Sequence, residues 1–81
     1  MEITLTVNLW RGLNLRKTPK IEDGNIVGTL SYNMRFYAVG FKREKGESLL
    51  WARDKDGFWI VAANGRNMYV KPMNGKPLPL G

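Results

Sequence analysis

The chain contains no cysteine and no histidine. Without cysteine there is no disulfide to stabilise a small domain and no thiolate for catalysis, and without histidine the commonest general base and metal ligand are both missing. The sequence also has no Gly-rich phosphate loop, no pair of carboxylates at a defined spacing and no serine-based triad. We therefore expect a protein that is not an enzyme and that needs no metal or cofactor.

Long hydrophobic runs are missing as well. Nowhere do apolar residues approach the roughly 18 in succession that a membrane-spanning helix needs, so we expect no membrane insertion. The opening residues Met1-Glu2-Ile3-Thr4 lack the basic and apolar regions of a secretion signal, so any export signal is either absent or part of a longer parent chain. The absence of cysteine fits extracellular and cytosolic proteins equally well, and the compartment stays open.

Acidic residues are missing from the last part of the chain. Thirteen Lys and Arg stand against seven Asp and Glu, a net charge of +6, and no acid follows Asp56, whereas Arg66, Lys71 and Lys76 do. This asymmetry favours an anionic partner such as a wall polymer, a nucleic acid or an acidic protein surface, because the summed field speeds association without selecting among partners. Ordinary solubility charge on a small domain is the alternative explanation.

The length of 81 residues, of which 43% are hydrophobic, leaves room for one small domain. A domain of this size buries only about 60% of the surface of its unfolded chain, so its stability is modest. We place the domain at residues 1–71 and a tail at residues 72–81, which hold three of the four prolines. Because proline cannot donate a hydrogen bond to a sheet, we expect a flexible tail, either a linker or a frayed terminus.

The apolar residues recur with a period of two. From Ile3 to Leu9 they alternate strictly with polar residues, which predicts a strand with one buried face. Turn signals such as Asp23-Gly24 and Asn64-Gly65 follow at short intervals, and no stretch has the period of a helix. Further strands are expected at about 13–16, 26–30, 34–41, 49–53, 58–62 and 67–71, with a polar loop at 17–25 and a charged loop at 42–47.

This pattern predicts an all-β fold, a small antiparallel barrel of five to six short strands. The inward-facing apolar residues should form its core: Ile3, Leu5, Val7, Leu15, Val27, Leu30, Phe36 and Ile60. Three further aromatic residues lie near turns or strand ends and are expected to be exposed: Trp10, Tyr32 and Phe41.

Short motifs come in a distinctive order along the chain. The first half has Leu13-Asn14-Leu15-Arg16, then Pro19 in a loop, then Val27-Gly28-Thr29-Leu30; the second has Leu50-Trp51-Ala52-Arg53, Gly57-Phe58-Trp59-Ile60 and Tyr69-Val70. In this order they resemble the bacterial SH3-like (SH3b) domain family over about residues 13 to 70. Residues 57–61 also fit that family's Gly-Trp-Tyr-x-Val strand, which would make residues 49–53 an insertion. The chain departs from the family pattern at Met68, where many relatives carry Gly.

The resemblance implies a non-catalytic module that binds bacterial cell wall, since domains of this family attach wall hydrolases, including phage lysins, to peptidoglycan. Such a module would work outside the cell or at the wall. Two alternatives stay open. A basic barrel could bind nucleic acid, although the cations are dispersed and do not interleave with aromatic residues in a recognised motif. The chain could also serve protein interaction or assembly, for example in a phage particle.

A groove lined by aromatic residues and bordered by cations suits a wall ligand, which offers apolar faces and anionic groups. The candidate ligand-binding residues are Trp51, Trp59, Tyr69, Tyr37, Asn14, Arg16 and Arg66. For the aromatic residues the competing interpretation is core packing, and for Arg16 it is bracing of the long loop by donation to backbone carbonyls. The sharpest expectation is a platform of Trp59 and Tyr69, with Trp51 nearby and Arg66 at its edge.

The segment Asp54-Lys55-Asp56-Gly57 resembles the acidic part of a calcium-binding loop. Such a loop aligned on Gly57 would place Ala52 and Ala63 where two essential ligands belong. We therefore expect a turn at this segment and no metal site.

Overall fold

A computed structural model describes residues 2–75 and 77–80; Met1, at the start of the expected domain, and Lys76 and Gly81, in the expected tail, lie outside it. The described residues form nine short strands, and the all-β fold class is confirmed. The strands are β1 (Ile3–Val7), β2 (Leu13–Arg16), β3 (Ile26–Leu30), β4 (Arg35–Ala38), β5 (Gly40–Lys42), β6 (Leu49–Arg53), β7 (Trp59–Asn64), β8 (Asn67–Met68) and β9 (Val70–Pro72). Single 3-10 turns lie at Asp23–Asn25 and Met73–Gly75.

The strands belong to two antiparallel sheets. One has three strands in the order β4-β1-β9, and the other has the order β3-β2-β7-β6-β5 with β8 paired to β7. In the described part of the chain these sheets do not close into a continuous barrel, which corrects the expectation of a closed one. The chain passes between the two sheets four times, and at two of these passages, which we call corners, a single residue separates the two strands.

Seven segments were predicted as strands, for a barrel of five to six, and the two corners raise the number of strands to nine. At Val39, between β4 and β5, the chain leaves the smaller sheet, and the Val39 N–H donates to the carbonyl of Arg53 over 2.7 Å. At Tyr69, between β8 and β9, the N–H donates to the Ala62 carbonyl and the Tyr69 carbonyl accepts from the Asn8 N–H, both over 2.8 Å. Each corner divides one predicted strand into two.

Residues of both sheets form one core. Its buried members are Leu5, Val7, Leu13, Phe36, Ala38, Leu50, Ala52, Ile60, Ala62, Ala63, Val70 and Leu78. The period-two alternation thus places Leu5, Val7, Phe36 and Ile60 correctly. Ile3, Leu15 and Leu30 were also predicted for the core and pack against it half-buried.

Val27 was wrongly predicted as a core residue, since its side chain is 48% exposed. Leu15 pairs with Gly28 while the next residue, Arg16, pairs with Ile26, so Val27 is an extra residue in the ladder. A bulge of this kind moves one side chain out of the alternation and turns it away from the expected face.

Residues 77–80 pack against the domain, which differs from the flexible tail expected at residues 72–81. Leu78 is buried in the core and Leu80 packs against it. The Nη1 group of Arg43 donates to the Leu80 carbonyl. Proline excludes this segment from a regular ladder, yet burial of two leucine side chains is favourable enough to hold an irregular segment in place.

Candidate binding groove

The face of the larger sheet that points away from the core is the starting point for a site. Across β6 and β7, Trp51 lies opposite Val61, and Arg53 lies opposite Trp59. The alternate residues of these strands point into the core, so these four share the outer face. Arg16 of β2 pairs with Trp59 and extends this face toward the neighbouring strand.

The loop at residues 17–25 is held against this face by two buried polar side chains. Nη1 of Arg16 donates to the Glu22 carbonyl over 2.8 Å and to Oδ1 of Asn25 over 2.9 Å. Nδ2 of Asn25 in turn donates to Oγ1 of Thr18 and to the carbonyl of Lys20, over 2.7 and 2.8 Å. The bracing interpretation of Arg16 is therefore confirmed.

Asn25 was not singled out from the sequence. Its side chain is 3% exposed, and it connects both ends of the loop through the bonds to Arg16, Thr18 and Lys20. The available signal was an amide side chain at the end of a polar loop, directly before an apolar strand. An amide offers both a donor and an acceptor, which suits it to bridge backbone carbonyls and a guanidinium.

Two cavities adjoin along this loop, and together we call them the groove. The first has a volume of about 440 Å³ and is lined in part by Asn14, Arg16 and Tyr69. The second, of about 520 Å³, is lined in part by Trp51. Both are lined by Ile21 and Leu49, so the two cavities adjoin at these residues.

The two ends of the groove differ in charge. Arg11 and Arg16 line the first cavity, and none of its described lining residues is acidic. Because the partners of Arg16 are a carbonyl and an amide oxygen, both neutral, its positive charge is not cancelled there. The second cavity has Lys20 and Lys42 together with acids, and Nζ of Lys42 lies 3.0 Å from a carboxylate oxygen of Glu44. The first cavity is the basic end of the groove.

The groove brings together four of the seven candidate binding residues. They are Asn14, Arg16 and Tyr69 in the first cavity and Trp51 in the second. Trp51 is 5% exposed but lies outside the core cluster, on the outer face of its sheet.

The other three candidates lie elsewhere. Trp59, half-buried, and Arg66, exposed, line neither cavity. Tyr37 lies in a separate hollow with the acidic residues Glu2, Asp54 and Asp56. Of the residues expected in the aromatic platform, Tyr69 lines the first cavity, Trp51 lines the second and Trp59 lines neither.

The groove also includes apolar residues that the sequence analysis missed. Ile21, Leu49 and Val61 line it, and Ile21 is 61% exposed. The signal for Ile21 was a single apolar residue within a polar loop. Leu49 and Val61 gave no such signal, because their strands carry apolar residues on both faces and the sequence does not show which face is buried.

The turn expected at residues 54–57 is confirmed. Oδ1 of Asp54 accepts from the N–H groups of Asp56 and Phe58, and the Gly57 N–H donates to the Asp54 carbonyl. Gly57 has a φ of 86°, a conformation that glycine adopts without strain. The Asp54 carboxylate therefore organises its own loop.

Within the described residues, the chain has no helix with the length and apolar character required to cross a membrane. Comparisons with known protein families, with curated proteins and with solved structures find no match for this chain. The resemblance to the SH3-like family accordingly depends on the short motifs alone, and the groove is interpreted from its own geometry.

Proposed function

We propose that this chain is a non-catalytic module that binds bacterial cell wall, with a peptide part of peptidoglycan lying in the groove. The observation that carries the proposal is that two cavities adjoin at Ile21 and Leu49, one with a basic lining and the other with Trp51 in its lining. Wall peptides alternate methyl-bearing and carboxylate-bearing residues, and apolar surface beside uncancelled cations suits such a ligand.

The brace between Arg16 and Asn25 supports this proposal energetically. It fixes the loop that forms one wall of the groove, so a ligand does not have to order this loop when it binds. A site held in its binding conformation avoids the entropic cost of ordering, which would otherwise reduce affinity. Arg16 then contributes its charge from a fixed position at the basic end.

Binding to purified peptidoglycan sacculi tests the proposal, with the matched variants Ile21→Thr and Val27→Thr. Both residues are β-branched and exposed, but only Ile21 lines the groove. We expect Ile21→Thr to weaken wall binding by about fivefold or more and Val27→Thr to leave it unchanged. Because both sites are exposed, each variant should keep its stability within about 0.5 kcal/mol.

Two results would contradict the proposal. The first is a wild-type chain that does not co-sediment with sacculi. The second is an Ile21→Thr variant that is folded and binds sacculi as the wild type does. A nucleic acid that binds more tightly than sacculi at physiological salt would instead favour the alternative of a basic nucleic-acid-binding domain.

A further inference from the structure

Two aromatic side chains meet on the surface, away from the core. The ring centroids of Trp10 and Tyr32 are 5.3 Å apart, and the ring planes are tilted by 57°. Trp10 is 83% exposed and Tyr32 is 41% exposed, in agreement with the sequence expectation for both. A pair in contact with one another still presents most of the indole to solvent, which is unusual for so large an apolar side chain.

Each ring lies at the second position of a tight turn. The Gly12 N–H donates to the Leu9 carbonyl around Trp10, and the Met34 N–H donates to the Ser31 carbonyl around Tyr32. In the second turn Asn33 has a φ of 72°, which is the left-handed conformation that the third residue of a type II turn requires.

The two turns are held against one another. Gly12 has a φ of 80°, and a Cβ atom at this position would lie 2.5 Å from the carbonyl oxygen of Leu30. The turn around Tyr32 is also anchored on β1, since the Asn33 N–H donates to the Val7 carbonyl over 2.9 Å. The exposed pair is therefore presented by backbone that is already ordered.

The polar groups around the pair include amides, a hydroxyl and two cations. Asn8, Ser31 and Asn33 are exposed in or beside the two turns, and so are Arg11 and Arg35. Both turns lie in acid-free stretches of sequence, residues 3–21 and 24–43. A partner with hydroxyl or amide groups and some negative charge is complementary to this surface.

We propose that the Trp10–Tyr32 pair is a second binding surface, which takes a pyranose ring of a glycan. The C–H face of a sugar ring packs on an exposed indole, while its hydroxyl and acetamido groups reach the neighbouring amides. A nucleobase sandwiched between two parallel rings does not fit rings tilted by 57°. A membrane surface would bury Asn8 and Asn33 without partners, which is costly.

The position of Arg11 connects this surface to the groove. Arg11 follows Trp10 in the same turn and lines the basic end of the groove. A polymer with both glycan and peptide parts can therefore occupy the two surfaces at once, and linked sites raise the overall affinity without any new contact. The assignment of the glycan to peptidoglycan rests on the proposed function, whereas recognition of a sugar ring does not.

A soluble β-1,4-linked oligomer of N-acetylglucosamine, titrated into the full chain, tests the inference. The side-chain N–H signals of Trp10, Trp51 and Trp59 are followed by NMR. We expect the oligomer to shift the Trp10 signal and to leave the other two in place. Trp10→Ala should lower the affinity for the oligomer by about tenfold or more, and Tyr37→Ala, an exposed tyrosine in the separate hollow, should not change it.

The outcomes separate this inference from the proposed function. If the Ile21→Thr variant no longer binds sacculi but still binds the oligomer, the two surfaces are distinct as proposed. If the wild type binds the oligomer at Trp10 but not sacculi, the proposed function is wrong and the glycan surface stands. If the Trp10 signal does not move with millimolar oligomer, or moves instead with single-stranded DNA or anionic lipid vesicles, the inference is overturned.

Discussion

The Arg16 guanidinium donates to the side-chain oxygen of Asn25 over 2.9 Å, and both side chains are buried, at 7% and 3% exposure. Within the described residues these are the two buried side chains that are polar or charged. The two side chains hydrogen-bond to one another, and each also donates to a backbone carbonyl of the loop between them. The position of one wall of the groove therefore depends on this pair.

Asn25→Ala should destabilise the domain by about 1–3 kcal/mol, because it removes one of the two acceptors of the buried Arg16 guanidinium and leaves the carbonyl of Lys20 without its donor. Urea unfolding measures the change. Asn14→Ala is the matched control, since Asn14 is exposed on the same strand as Arg16 and should change stability by no more than about 0.5 kcal/mol. Equal stability of the two variants would show that the brace contributes nothing.

Gly12→Ala should destabilise the domain more than Gly46→Ala does. Both glycines have positive φ, at 80° and 83°, so both variants carry backbone strain of about 1 kcal/mol or more. Only at Gly12 would the new methyl group meet a backbone atom, the Leu30 carbonyl oxygen, whereas the space around Gly46 is open. Thermal unfolding of both variants checks the order, and a reversed order would refute the close approach of the two turns.

Leu78→Ala should cost about 2 kcal/mol or more, because it leaves a cavity in the core. Leu80 packs against the core only half-buried, so Leu80→Ala should cost less. Urea unfolding of the two variants is the measurement. If neither changes stability, residues 77–80 are not held against the domain in solution.

Wall binding should weaken as salt rises from low to physiological concentration, since exposed charges are screened over about 8 to 10 Å. The basic end of the groove and the net charge of +6 are the reason. Sedimentation with sacculi over a salt series gives the slope, and a parallel DNA titration gives the comparison. A duplex should show the steeper slope, because each neutralised phosphate releases counterions. Salt-independent wall binding would contradict an ionic contribution.

Three strands could be predicted to the residue, Leu13–Arg16, Ile26–Leu30 and Leu49–Arg53, because turn residues bound each of them. The corner at Val39 could not be predicted, because the alternation of residues continues through it without a break. A strand joins one sheet or the other according to the strands it pairs with, which are distant in sequence. Period-two alternation shows which face of a strand is buried and does not show its pairing partner.

The site was harder to predict than the strands. The bracing role of Arg16 followed from its position before a long polar loop, but its partner Asn25 did not, because any of the loop's polar residues could have supplied the acceptor. That Trp59 does not line the groove could not be predicted, because alternation assigns a residue to a face of the sheet and does not show which part of that face a loop covers. Loop 17–25 decides this, and its path is set by hydrogen bonds rather than by apolar pattern.

The pairing of the first strand with the last has a consequence for synthesis. Thr6 pairs with Lys71 and Val7 with Val70, so one edge of β1 is paired by β9 and the other by β4. The pairing with β9 cannot form until nearly the whole domain has been synthesised. Contacts between residues so far apart must form against a large loop-closure entropy, which slows folding. We therefore expect a nascent chain that ends before residue 70 to remain unfolded on the ribosome, and the domain to fold in one late step.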